Sequence, residues 1–92
     1  MELTIIPKED LSGYHFVQHD VLTDEVERAK RKILLEGAMA LGNDFKQKVR
    51  LVFDTTEGTC AVETTEWAVT KNHVDMKAGK DIPIHAIREV VL

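Results

Sequence analysis

Cys60, the single cysteine, and the four histidines His15, His19, His73 and His85 are the side chains of this 92-residue chain best suited to nucleophilic or metal chemistry. A thiolate beside an imidazole is a route to an activated nucleophile, so Cys60 with His73 or His85 is the pair to look for. Cys60 alternates with Val62 in a β-rich run, however, and free cysteines on strands are usually core filler. A buried, unreactive thiol is the expectation. His15, His19 and Asp20 come nearest to a metal set. In an extended strand the two histidines share a face but stand about 13 Å apart, too far for one ion. No glycine-rich phosphate loop, nucleophile elbow or helical metalloprotease pattern is present. No catalytic, cofactor-binding or metal-binding residue is therefore expected, no cofactor, and no enzyme.

The charge balance points the same way. Twelve basic against sixteen acidic residues leave a net charge of −4, and the acidic excess sits in residues 1–22, where Lys8 stands against Glu2, Glu9, Asp10 and Asp20. A polyanion binder ordinarily shows a basic surplus on one surface. Arg28, Arg31 and Lys32 do share a side of a helical wheel and are the candidate phosphate contacts. Their spacing also answers the acids Asp24 and Glu27 one turn earlier, so nucleic acid is not the expected partner. One cysteine allows no internal disulfide, and no secretory leader or membrane-length apolar run is found. A cytoplasmic protein without membrane contact is expected.

One domain, 1–92, must position these residues. Residues 1–22 read as an extended arm or strand: ELTII is stopped by Pro7, a polar turn follows, and Tyr14 to Leu22 has two mixed faces. Residues 23–42 read as a helix, with Thr23 as N-cap, acids in the first turn and Gly42-Asn43 as a left-handed stop. On its wheel Val26, Ala29, Ile33, Leu34, Gly37, Ala40 and Leu41 gather on one side, which is expected to face the core, with small residues there for close approach. From Lys48 the period becomes two. Residues 48–92 read as five short strands, the second being the run Thr59 to Thr70, whose apolar phase switches between Glu63 and Glu66 and so demands a bend. Lys71-Asn72 and Ala78-Gly79 are turn signals, and His85-Ala86-Ile87 suits a 3₁₀ turn.

That order, a helix and then five strands with the second bent, resembles the small SH3-like barrels, and the leading helix makes it similar to their Sm-like variant. The resemblance implies an α+β fold in which the N-terminal segment and one helix pack on a five-stranded antiparallel β-barrel. Sm-like proteins carry an Asp shortly before an Asn at the turn into the third strand and an Arg-Gly before the last. Here Asn72 is preceded by Glu66, Ala68 and Val69, and the later turn reads PIHAIRE, so their RNA-binding residues do not carry over. The run WAVTKNHVDMKAGKDIPIHAI also resembles small uncharacterised bacterial proteins, from which no activity follows.

The expected function is that of an interaction or scaffold module working through protein contacts, with itself or another protein; a weak nucleic-acid binder of Sm-like shape is the alternative. Leu35, Met39 and Trp67 are the candidate partner contacts. Leu35 and Met39 touch at i,i+4 on the side of the helix away from the Val26, Ile33, Gly37 stripe, and Trp67 is the sole tryptophan. A cover over Leu35 and Met39 would come from Ile5, Ile6 or Phe16, or from a second subunit.

Overall fold

The computed structural model describes residues 3–65, 67–76 and 81–92. In chain order they form β1 (Thr4–Ile5), a 3₁₀ turn (Lys8–Gly13), α1 (Glu25–Phe45), β2 (Val49–Thr55), β3 (Gly58–Thr64), β4 (Trp67–Val69), β5 (His73–Met76), β6 (Ile82–Pro83), a second 3₁₀ turn (Ile84–Ala86) and β7 (Ile87–Val91). The expected Ala78-Gly79 turn lies outside the described residues.

β2 and β3 form a tight hairpin. The Thr55 hydroxyl donates to the Gly58 carbonyl (2.8 Å) and accepts from the Glu57 N–H (3.1 Å), while Gly58 takes φ +128°, which side chains other than glycine's rarely adopt. Val49, Leu51 and Phe53 alternate inward as their period predicts, and Val52, on the other face, is buried as well.

The expected closed barrel is not formed. The described strands make two open sheets, one ordered β1-β3-β2-β7 and one ordered β4-β5-β6. The phase switch between Glu63 and Glu66 is the cause: instead of one bent strand, β3 ends at Thr64 and β4 begins at Trp67, and the two belong to different sheets. β7 returns to pair antiparallel with β2, β6 pairs with β5, and β1 runs parallel to β3, so among the described residues no ladder joins the two sheets. The likeness to SH3-like and Sm-like barrels stops at the order of elements.

α1 lies against both sheets through β4 and β7, but with the opposite face to the one expected. Arg31, Leu35, Ala38 and Gly42 are buried, whereas Val26, Ala29, Ile33, Leu34, Gly37 and Ala40 are exposed and Leu41 is half-buried. Strand edges explain the reversal, because their backbone groups need partners wherever water is excluded. Asn43 donates from Nδ2 to the Trp67 carbonyl (3.0 Å) and accepts the Trp67 N–H at Oδ1 (3.4 Å), which pairs the edge of β4 as a neighbouring strand would. The Val69 N–H meets the Met39 sulfur at 3.3 Å, and Arg31 Nη1 donates to the Ile87 carbonyl of β7 at 3.0 Å. Gly42 permits the approach: a Cβ there would lie 2.3 Å from the Thr65 carbonyl oxygen. Accordingly Gly42 does not stop the helix. It ends at Lys46 in the left-handed region (φ 57°), and its N-cap is Asp24, whose carboxylate accepts the Val26 N–H, not Thr23.

The N-terminal segment is part of the core. Ile6, Leu11 and Phe16 are buried, Leu11 completely, and the Phe16 and Phe53 rings meet edge to face at 5.5 Å between centroids. Residues 14–22 run as an arm with a single bridge, Phe16 to Thr55, fixed by the bonds Thr56 N–H to His15 O and Val21 N–H to His85 O.

Candidate functional site

The residues with chemical potential are scattered to separate tasks. Cys60 stands in β3 between Thr4 and Phe53 of the neighbouring strands and is 4% exposed; burial pushes its thiol pKa up, away from the reactive thiolate. His73 and His85 instead line an open cleft of about 550 Å³ together with His15, Phe16, Asp81 and Pro83, and Cys60 is not part of it. Within the cleft, the His85 Nε2 lies 2.7 Å from the Val17 carbonyl, so that ring holds the arm, and His15 stands 3.7 Å from Glu57. Asp75 sits beside Asp81, whose carboxyl raises its pKa through a shared hydrogen bond and like charge; both lie at the surface. Three imidazoles and a carboxylate rim this cleft without a nucleophile poised against any of them. Among the described residues no group of three or more His, Cys, Asp or Glu side chains is placed to hold a metal ion.

Asp20, the third member of the sequence's metal set, is bound elsewhere. Its carboxylate receives Arg31 through both Nη atoms, each at 2.9 Å, and the Leu22 N–H at 2.8 Å, with Arg28 Nε 3.5 Å away. The hydrogen bond from Arg31 above all holds the Asp20 pKa below its ordinary value. Two of the three candidate phosphate contacts are thereby engaged by groups of the chain itself. Arg31 is 7% exposed, Arg28 also donates to the Leu22 carbonyl, and Lys32 is exposed on the surface.

The candidate partner contacts prove to be interior. Leu35 is fully buried and Trp67 nearly so, both within the core, and Met39 is half-buried against β4. Leu35 and Met39 lie on the part of α1 that packs toward β4 and β7, and the burial of Leu35 and Trp67 removes them from any partner surface.

What lies outside is the stripe the sequence assigned to the core. Ile33 is 71% exposed and Val26 59%, Leu34 lies open beside them, and Ala29, Gly37 and Ala40 fill the spaces between; Phe45, beyond the expected helix end, is exposed too. On the β7 side the stripe borders a groove of about 250 Å³ lined by Leu34, Lys30, Glu89 and Val90. Arg31 was the signal that could have revealed this: it repeats with Leu35, Ala38 and Gly42 at i+4, i+7 and i+11, a helical face as regular as the apolar one but headed by a charge.

No family model matches the chain, and neither the curated proteins nor the solved structures contain a significant match to it. Among the described residues no helix is long and apolar enough to cross a membrane.

Proposed function

We propose that this chain is a small non-enzymatic interaction module whose contact surface is the outward face of α1. One observation carries the reading: a helix already packed through one face displays Val26, Ile33 and Leu34 outward on another, interrupted by Lys30. Scattered exposed apolar residues are common on soluble proteins, but a cluster of them on one helix face supports a binding surface. The single buried thiol and the lack of disulfide staples support a reducing, cytoplasmic setting. A photo-reactive amino acid in place of Ile33, activated in cells, should cross-link to protein, while the same group in place of exposed Lys48 should not. Equal labelling from both positions, or none from Ile33, would refute the assignment.

A further inference from the structure

We propose that the partner of this face is a second copy of the chain, packed helix to helix and antiparallel. The proposal rests on the reading of α1 as the contact surface and adds the identity of what it contacts.

Two glycines in one helix supply the first observation. Gly42 has an internal reason, since a Cβ there would strike the Thr65 carbonyl. Gly37 has none: a Cβ at that position would meet nothing within 4 Å. A glycine in a helix interior is less stable than alanine by about 1 kcal/mol. At Gly37 this cost has no return inside the chain. It is the residue that lets another helix approach, and it lies in the stripe beside Ile33, between Ala29 and Ala40.

Charge selects the second copy and its direction. Place a two-fold axis level with the Leu34–Leu35 peptide, perpendicular to α1. Ala29 of one copy then stands level with Ala40 of the other, and Ile33 comes within about 1.5 Å of the level of Gly37, so the large side chain enters the space left by the small one. Lys32 and Glu36 project on the same side of the Ile33 ridge, and this axis brings each level with the other in the opposite copy to within the same ~1.5 Å. Both are exposed. At its centre the stripe is thus complementary to its own reversed image, Ile33 against Gly37 and Lys32 against Glu36. A parallel pair would instead put Lys32 and Glu36 of the two copies on opposite sides of the seam, where they cannot pair, and align the two helix dipoles. The helix offers about 30 Å of length, which places the contact at the small end of specific interfaces and makes association concentration-dependent.

Sedimentation equilibrium of the purified chain up to about 1 mM should show the 10.4 kDa species giving way to twice that mass. Ile33→Glu should hold the single-chain mass with an unchanged circular dichroism spectrum, since the side chain lies outside the fold. Lys32→Glu and Glu36→Lys should each weaken the dimer about tenfold, two contacts being lost by symmetry, and the double reversal should restore it. A single-chain mass at every concentration overturns the proposal, as does a dimer that survives Ile33→Glu, and a double reversal no better than either single change overturns the antiparallel arrangement. If the chain stays monomeric while a cross-linker at Ile33 captures a different protein, the homodimer fails and the contact face stands. Monomer with no adduct from Ile33 sinks both.

Discussion

Asp20 gathers Arg31, Arg28 and the Leu22 N–H on one carboxylate, and through Arg31 it reaches the Ile87 carbonyl of β7. Sequence reading set Asp20 beside histidines and turned Arg31 toward solvent, because an arginine on a charged helix reads as surface; only the tertiary course of the chain brings the half-buried Asp20 carboxylate and the Ile87 carbonyl to it. The pair makes a sign-definite forecast. The folded-state pKa of Asp20 lies below its unfolded value of 3.8, so its contribution is full above that value and is lost as pH falls through the folded one. Asp20→Asn leaves Arg31 buried without a counter-charge and should cost about 2–4 kcal/mol at pH 7. Urea titrations should show this gap between the variant and the parent narrowing as pH falls below 3.8. Asp54, whose pKa Arg88 lowers in the same way, is intact in both proteins and leaves the comparison undisturbed. A gap of constant size from pH 7 to 3 would mean that the carboxylate charge is not what Arg31 needs.

At the scale of elements, the helix and most strands were legible because each rests on local chemistry: period, caps and turns. The helix begins one residue after its acidic cap and the 3₁₀ turn before β7 lies one residue earlier than the sequence suggests. Its orientation was not legible, since counting apolar residues takes the greasiest face to be the buried one. Here the buried face is chosen by what strand edges require, and Arg31, Met39 and Asn43 supply it. Asn43 tests that view because its amide serves Trp67 as both donor and acceptor. Asn43→Asp keeps the acceptor but turns the donor into an oxygen facing the Trp67 carbonyl, so it should be no milder than Asn43→Ala, each costing about 1–3 kcal/mol. Hydrogen exchange should quicken at Trp67 and Val69 well before the β2–β3 hairpin is affected. If the aspartate variant exchanges at the parent's rate, the amide is not what seals this edge.

The whole molecule is decided by pairings that a linear reading cannot rank. β2 joins β7 and β1 joins β3 across long stretches of the chain, so their registers depend on how the chain returns and not on neighbouring residues. A barrel was inferred from strand number and one phase switch, and the actual solution leaves two sheets whose shared core is completed by the helix and by residues 3–22. The N-terminal segment was open between arm and strand; its burial makes it structural. Ile6, Leu11 and Phe16 belong to the core, Asp20 neutralises Arg31, and the Ile6 N–H bonds to the Ala61 carbonyl at 2.9 Å. Truncating a buried side chain of this size costs about 2–5 kcal/mol, so removing all three competes with the whole stability of a small domain, about 5–15 kcal/mol. A chain shortened to residues 23–92 should therefore lose cooperative unfolding and the near-ultraviolet signal of Trp67, while keeping some helical dichroism from α1. A sharp two-state transition in that fragment, with the tryptophan signal intact, would show that the helix and strands form their core unaided and that the segment merely rests upon it.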